Sequence, residues 1–411
     1  MTRLLLFDWL HLGLSEEWAD TAIGIAITYA VFIMGIPALI FQTFIPEALR
    51  NVYNRRLMRG SHWVFTTQIL LVLILLWMVN PKVCGLEARG VPSETSAYLI
   101  FWLTVLILVI GHTHLIWKFN SSQYIGRQLS KTITKSALAH FKKAKEIKKE
   151  DLEDLGLLAV ELPHGSIKNT FLDSLGQLIE DILDVKDSRP EEINKAIGDI
   201  VEKAVDPSVT NSIEKTNAEN MKKALEVLSF AFNQGQRRIG TGDDKSYYKT
   251  IISNSIKEIG VCAVVRKDLP SVMNAIEKLS QIEGASRDVY TLGASALHQG
   301  YIKASVVASR KLGDRVRKVI AGREPDWVED KRVCAWLGLV ARIYEKDGHA
   351  KQYAETQIEV VLEQPHVNKE EIGLSLKNAQ NYFYRRLADF STADAILMLQ
   401  QKRYPDLGGV S

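Results

Sequence analysis

Two histidines lie close enough in the sequence to suggest shared chemistry. His112 and His114 are two positions apart near the end of an apolar run. If that run is a helix, the two side chains are rotated by about 200° from each other, so they cannot chelate one metal ion. No carboxylate lies in the run to serve as a counter-ion. We therefore interpret both histidines as hydrogen-bonding groups, with a proton or ion role as the alternative.

The three cysteines and one glycine-containing loop do not form a chemical site. Cys84, Cys262 and Cys334 are far apart, and none belongs to a CxxC pair. In the loop at residues 240–246, Asp244 precedes Lys245 where a phosphate-binding loop needs glycine. The sequence also lacks the HExxH and GxSxG motifs. It therefore predicts no catalytic residue, no metal site and no cofactor, while a site assembled from distant residues stays an open alternative.

A cluster of basic residues is the strongest surface candidate. Its members, which accompany only Asp314, are Arg310, Lys311, Arg315, Arg317 and Lys318. We expect a solvated helix face, with binding of an acidic partner, inner-leaflet lipids or nucleic acid as alternatives. Nucleic acid is disfavoured, because the net charge is only +3 and the cluster has no aromatic platform for base stacking nearby.

Three segments without a charged residue are long enough to cross a bilayer. They span residues 21–45, 63–80 and 97–117. A helix of about 18 residues measures about 27 Å, close to the roughly 30 Å hydrocarbon core. We predict a three-helix transmembrane anchor over residues 21–118, preceded at 1–20 by a segment in the outer membrane interface. Three buried helices of a soluble core are the alternative.

The flanking charges and one stripe of small residues complete the membrane hypothesis. Basic residues concentrate in the linker after the first span, at Arg50, Arg55, Arg56 and Arg59. The positive-inside rule then predicts a multi-pass protein of the plasma (inner) membrane, with its N-terminus outside and its C-terminal domain in the cytoplasm. Ala22, Ala26 and Ala30 form a stripe that would let another helix approach closely, from the same chain or from a second copy.

After residue 118 the apolar residues follow helical spacing. We predict a basic juxtamembrane stalk helix at 119–150, a helical subdomain at 151–240, a repeat-like helical domain at 241–403 and a disordered tail at 404–411. The expected fold class is all-α, with three transmembrane helices followed by a large cytoplasmic helical domain, solenoid-like if its hairpins repeat.

One pattern recurs in the C-terminal part, namely an aliphatic residue, glycine, two further residues and alanine. It surrounds Gly260, Gly293 and Gly338, and a weaker version surrounds Gly373. A second helical stripe follows each glycine, near 270–282, 301–312, 350–362 and 391–402. Residues 245–403 resemble the tetratricopeptide class of helical repeats in these Leu-Gly and Ala positions and in a period near 34 residues. The resemblance implies stacked hairpins with a concave surface for a protein or peptide. An irregular helical domain is the alternative.

These features favour a non-enzymatic interaction protein. Three spans would anchor it in the lipid bilayer, and the helical domain would serve as a scaffold that holds a cytoplasmic protein partner. The alternative is an oligomeric channel or membrane effector gated by the cytoplasmic domain, in which copies meet at the alanine stripe and His112 lines the pore with Gln42. A membrane-tethered enzyme is the third hypothesis.

Overall fold

The structure is a computed structural model, and all its regular elements are helical. It describes residues 28, 47–53, 55–56, 110, 122–210, 218–238, 243–322, 327–346 and 348–407. The chain divides into two compact units, residues 1–132 and 133–411. Because the described residues form helices and no strand, the prediction of an all-α chain is confirmed. The predicted subdomain boundaries stay predictions.

The prediction of three transmembrane helices is contradicted. In the part of the chain that the structure describes, no helix has both the length and the apolar composition needed to cross a bilayer. Several of these helices have 20 or more residues, so length is not what they lack. Charged side chains interrupt each one, as Arg127, Lys131 and Lys135 do in the helix Ser122–Ala144. The fold class is therefore corrected to all-α, without the transmembrane part.

The function and location that were derived from the spans are corrected with them. The integral membrane scaffold, the channel alternative and the multi-pass plasma-membrane location all depended on helices that the described residues do not provide. Apart from Thr28 and Ile110, the three apolar segments lie outside the described residues. The same holds for the site residues predicted in them, which are His112, His114, Gln42, Ala22, Ala26 and Ala30.

In the first unit, the short helix α1 (Glu47–Tyr53) buries Leu49, Val52 and Tyr53. Helix α2 (Ser122–Ala144) begins in this unit and ends in the second. Its buried apolar side chains recur at every fourth position, at Ile125, Leu129, Ile133, Ala137 and Phe141. This spacing keeps them on one face, as the 3.6-residue period requires.

The second unit opens with five helices. They are α3 (Lys149–Glu161), α4 (Ser166–Leu183), α5 (Pro190–Ile200), α6 (Pro207–Thr210) and α7 (Ala218–Arg238). A π-helical turn, Val201–Val205, joins α5 to α6. Helix α4 packs on α3, α5 and α7, and it buries the lysine side chain of Lys168. The Lys168 ammonium donates a 2.7 Å hydrogen bond to the Ala159 carbonyl oxygen, in the last turn of α3.

Four helix pairs follow. They are α8 (Asp243–Val265) with α9 (Leu269–Gln281), α10 (Ser286–His298) with α11 (Ile302–Ala321), α12 (Lys331–Tyr344) with α13 (His349–Val361), and α14 (Lys369–Asn381) with α15 (Phe390–Arg403). The first helices α8, α10, α12 and α14 pack on one another in order, and the second helices α9, α11 and α13 do the same. This is a stack of hairpins. Whether it belongs to the tetratricopeptide class stays a prediction.

Two of the recurring glycines lie where helices of the stack approach closely. A Cβ atom on Gly260 would come within 2.6 Å of Leu292 in α10 and 3.0 Å of Ala275 in α9. A Cβ atom on Gly293 would come within 2.8 Å of both Ala308 in α11 and Leu339 in α12. Each of these two glycines therefore lets its helix contact its own hairpin partner and the next first helix together.

Helix α12 is the centre of the last three hairpins. Its nine consecutive residues Val333–Ala341 are all buried, and it packs against α10, α11, α13, α14 and α15. A helix that is apolar on every side is stable only when neighbours cover it completely. Different neighbouring helices cover different sides of α12. Trp336 lies against Gly313 of α11, and Gly338, rotated by about 200° from Trp336, lies against Thr392 of α15.

Candidate functional site

A run of aromatic residues and arginines ends the first helix of the last hairpin. Tyr382–Arg386 form a π-helical turn directly after α14. Such turns are rare and are found frequently at functional sites. Phe383 is buried, whereas Tyr384, Arg385 and Arg386 are exposed. The turn therefore brings three large polar or aromatic side chains to the surface beside one buried anchor.

The exposed aromatic ring of Tyr384 has a partner. Phe390, the first residue of α15, packs edge-to-face against it, with ring centroids 5.1 Å apart and an interplanar angle of 78°. Tyr384 is 57% exposed and Phe390 is 54% exposed, which is unusual for two large aromatic side chains in contact. We call Tyr384, Arg385, Arg386 and Phe390 the arginine–aromatic surface.

A partly buried hydrogen-bond network fixes the turn that carries this surface. The Asp389 carboxylate accepts hydrogen bonds from the Tyr290 hydroxyl at 2.7 Å and from the Thr392 hydroxyl at 2.8 Å. It also accepts the backbone N–H of Thr392 at 3.1 Å, which makes Asp389 the N-cap of α15. We call Tyr290, Asp389 and Thr392 the cap network. It joins α10 to α15 across 99 residues of sequence.

The charges around the cap network favour an ionised Asp389. Burial opposes ionisation, but the hydrogen bonds from Tyr290 and Thr392 and the nearby Arg342 guanidinium outweigh it, so the pKa of Asp389 lies below its usual value. Burial raises the pKa of the Tyr290 hydroxyl, which keeps that group protonated as a donor. The network therefore remains intact over the physiological pH range.

The buried Phe383 side chain holds the turn in place through its packing contacts. Its ring centroid lies 4.8 Å from that of Tyr290 and 5.3 Å from that of Tyr382. A Cβ atom on Gly338 of α12 would overlap the Phe383 ring, so this glycine makes room for it. The Asp389 backbone N–H also donates to the Phe383 carbonyl oxygen at 3.0 Å. The backbone that carries Tyr384 and Phe390 is therefore fixed by several contacts.

The predicted basic cluster does not present all of its charges to solvent. The Arg315 guanidinium is largely buried and donates to the carbonyl oxygens of Leu279, Ser280 and Ile282, at 3.3, 2.5 and 2.8 Å. Burial lowers its pKa. These carbonyls close the C-terminal end of α9, so Arg315 caps that helix.

The other four basic residues lie on the outer side of α11. Lys311 forms a 2.7 Å ion pair with Glu277, and Arg317 pairs with Asp314 on its own helix. Arg310 hydrogen-bonds the Tyr353 hydroxyl, and Lys318 is exposed. Acidic and hydroxyl partners already engage three of them, so the arrangement differs from a continuous basic face. Binding of an acidic partner on α11 stays a prediction.

Of the two buried thiols, Cys262 lies near the carboxylates of Asp206 and Glu258, whereas Cys334 lies near Asp330. Burial raises the pKa of Cys262 and raises the pKa of Cys334 to about 12, so both thiols stay protonated. Asp206 accepts a 2.8 Å hydrogen bond from the Ser255 hydroxyl, while its Oδ1 atom is buried without a hydrogen-bond partner. Within the described ranges, no group of three or more His, Cys, Asp or Glu side chains could hold a metal ion.

Comparison with known proteins identifies no relative. No protein-family model, no curated protein and no solved structure matches this chain.

The arginine–aromatic surface was not predicted from the sequence, although the sequence carries a signal for it. Three consecutive aromatic residues, Tyr382–Tyr384, are followed by two arginines in a chain in which aromatic residues make up only 8%. Aromatic residues and arginine are the types enriched at protein interfaces. Which of them point outward could not be read from the sequence, because the π-helical turn changes the helical period at this point.

Proposed function

We propose that the helical domain is a protein-binding module, and that its arginine–aromatic surface contacts an acidic segment of a partner protein. The observation that carries the proposal is the edge-to-face pair of exposed rings, Tyr384 and Phe390, beside two exposed arginines. Tyr and Arg are the residue types that most often dominate binding energy at interfaces. The stack of hairpins supplies the extended scaffold on which such modules present their contacts.

The rigidity of this surface supports a binding role. The cap network holds Asp389 between α10 and α15, and Phe383 is buried beneath the turn. A surface that is already ordered loses little conformational entropy when a ligand binds, so more of the contact energy appears as affinity. Exposed aromatic rings that only filled space would not need a frame of this kind.

The charge of the surface favours an acidic partner. Arg385 and Arg386 are adjacent and exposed, and a guanidinium can hold a carboxylate through two parallel hydrogen bonds. Asp394, one turn after Phe390, is the exposed acidic residue nearest to it along α15. We therefore expect a segment that places its carboxylates toward the arginines and its apolar side chains on the two rings.

A labelled model peptide can test the proposal. The probe is a fluorescein-labelled peptide of about 15 residues with Glu and Leu at helical spacing, and its matched partner has Gln in place of Glu. We expect the purified chain to bind the acidic peptide, and binding to weaken as salt is added, because exposed ion pairs are screened. The readout is fluorescence polarisation.

Substitution of the two arginines gives the decisive comparison. The double variant Arg385→Ala/Arg386→Ala should weaken binding of the acidic peptide about tenfold, since two exposed ion pairs contribute roughly 0.7 kcal/mol each. The matched control is Lys222→Ala/Lys369→Ala, which removes the same charge at two exposed sites elsewhere. Equal affinity for the Glu and Gln peptides, or equal affinity of the arginine variant and the control, would contradict the proposal.

A further inference from the structure

We infer that the partner's acidic segment carries a phosphorylated side chain, and that Arg287, Tyr382 and Arg386 bind its phosphoryl group. This inference rests on the proposed function and defines the chemistry of the partner more closely. We call these three residues the anion site. It adds Arg287, from the first turn of α10, to the arginines of the arginine–aromatic surface.

The first observation is that the arginines around the π-helical turn have no acidic partner. Other arginines of the second unit form ion pairs, namely Arg189 with Glu192, Arg317 with Asp314, Arg332 with Asp330 and Arg403 with Glu363. Arg287, Arg385 and Arg386 are exposed, and within the described ranges no carboxylate pairs with any of them. Like charges that lie together without a counter-ion repel one another, so such a cluster attracts an anion.

The second observation is that Arg287 and Arg386 approach the same hydroxyl group, although they are far apart in the sequence. Arg287 lies one turn before Tyr290 on α10, and the ring centroid of Tyr290 is 4.8 Å from that of Phe383 in the π-helical turn. Burial raises the pKa of the Tyr382 hydroxyl, and the Arg287 and Arg386 guanidinium groups oppose that rise. Charges have this effect from a short distance, so both guanidinium groups lie near the hydroxyl.

The donors of the anion site suit a phosphoryl group better than a carboxylate. A carboxylate is planar, and a single guanidinium can satisfy both of its oxygen atoms. A phosphorylated side chain carries a charge of about −1.5 to −2 at about pH 7 and offers three acceptor oxygen atoms. Two guanidinium groups from different elements and the Tyr382 hydroxyl can each donate to a different one of these atoms. Among the described residues, nothing accepts a hydrogen bond from this hydroxyl, so it is available as a donor.

Carboxylates in this part of the fold are directed to other cations. The pairs are Asp330 with Arg332 at 2.6 Å, Asp288 with Lys257 at 4.0 Å, and Asp389 with the nearby Arg342 guanidinium. Glu329 is exposed, and of the groups that act on the pKa of the Cys334 thiol, a neighbour of Tyr382, it has the smallest effect. The positive charge of the anion site is therefore left for a ligand.

The surroundings of the anion site favour a peptide over a lipid surface. The exposed rings of Tyr384 and Phe390 follow Arg386 closely in the chain, so apolar side chains that flank a phosphorylated residue can pack on them. An anionic bilayer laid on this surface would also meet the exposed carboxylate of Asp394, which repels it. The ligand is therefore a phosphopeptide, and a phosphorylated lipid headgroup is the alternative that the test must exclude.

Three labelled peptides test the inference. The first is the fluorescein-labelled Glu/Leu peptide of the proposed function, and in the other two phosphoserine or serine replaces one central Glu. We expect the purified chain to bind the phosphoserine peptide about tenfold more tightly than the Glu peptide, because the phosphoryl group adds charge-assisted hydrogen bonds. The ratio should fall between about pH 7.5 and about pH 5.5, since the phosphoryl group loses its second negative charge near pH 6, while Glu stays ionised. The readout is fluorescence polarisation.

Variants of the anion site locate the effect. Arg287→Ala, outside the arginine–aromatic surface, should weaken binding of the phosphoserine peptide about tenfold and leave binding of the Glu peptide nearly unchanged. Tyr382→Phe keeps the ring that packs on Phe383 and removes the hydroxyl, so it should weaken the phosphoserine peptide alone, by about threefold. The matched control is Lys303→Ala, which removes one exposed charge at the opposite end of the same hairpin and should leave both affinities unchanged.

The outcomes separate this inference from the proposed function. If the Glu peptide binds and the phosphoserine peptide binds no more tightly, this inference is wrong and the proposed function stands. If neither peptide binds, both are wrong. A preference for phosphoserine that Arg287→Ala leaves unchanged would also overturn the inference.

Phosphatidylcholine vesicles that contain phosphatidylinositol phosphate test the lipid alternative, with vesicle co-sedimentation as the readout. We expect these vesicles to bind wild type and Arg287→Ala equally weakly. Binding to wild type that Arg287→Ala abolishes, without binding of the phosphoserine peptide, would assign the anion site to a lipid headgroup and overturn the inference.

Discussion

Removal of the Asp206 carboxylate should change how the stability of the second unit depends on pH. Burial raises the pKa of Asp206 from its ordinary value of 3.8 to about 6, and the neighbouring carboxylates of Glu258 and Glu202 add to the effect. The Ser255 hydroxyl bond acts in the opposite direction but does not restore the ordinary value. A difference of about 2 pKa units corresponds to about 3 kcal/mol.

Whether the free energy of unfolding rises or falls with pH follows from the number of protons that each state binds. Between the unfolded pKa and the raised folded pKa, the folded chain binds more protons than the unfolded chain, so the free energy of unfolding falls as pH rises. The stabilisation by protonated Asp206 is fully present below about pH 4 and is lost as pH rises through about 6. Asp206→Asn carries no titrating group and should lack this loss.

The assay compares how the free energy of unfolding depends on pH in wild type and in Asp206→Asn. Urea unfolding, followed by far-UV circular dichroism, gives the free energy of unfolding of wild type and Asp206→Asn at about pH 4 and about pH 8. We expect wild type to lose about 2 kcal/mol more than the variant over this range, because part of the effect is already lost at pH 4, while other titrating groups contribute equally to both. Asp187→Asn, at an exposed carboxylate, is the control and should follow wild type. If Asp206→Asn also follows wild type, the assigned burial of the ionised carboxylate is refuted.

Two further predictions concern packing and capping. Gly293→Ala should destabilise the chain by about 1–3 kcal/mol, because its new Cβ would overlap Ala308 and Leu339. Gly176→Ala is its matched control, since the nearest atom is 3.5 Å away, and it should stabilise α4 by up to about 1 kcal/mol. Arg315→Met keeps the aliphatic stem but leaves the α9 carbonyls without their donor, and it should cost about 2 kcal/mol. Thermal unfolding measures all three, and a stable Gly293→Ala or Arg315→Met would contradict the contacts described here.

Local patterns in the sequence predicted much of the helical stack. The glycines at 260, 293 and 338 and the apolar stripes after them come from short-range spacing, and α9, α11, α13 and α15 lie close to the predicted second helices. A period of 3.6 residues is a property of neighbouring positions, so the sequence displays it directly. All-α character was predictable for the same reason.

Structural features that depend on contacts between residues far apart in the sequence could not be predicted. Arg315 reads as one of five surface charges, yet its guanidinium turns toward α9, some 35 residues earlier in the sequence. The hydrogen bond between Tyr290 and Asp389 joins residues 99 positions apart, and no local sequence pattern predicts it. The transmembrane prediction used only length and charge, and these criteria describe a segment without its surroundings in the fold.

The burial of α12 on every side has a consequence for cooperativity. In an ideal linear array each repeat contacts only its neighbours, so hairpins can detach one at a time from an end. Here α15 reaches past α12 to α10, and the residues Val333–Ala341 of α12 are buried on every side. Loss of the last hairpin would therefore uncover a helix whose residues Val333–Ala341 are all buried. We expect the three C-terminal hairpins to melt in one step, as a single block.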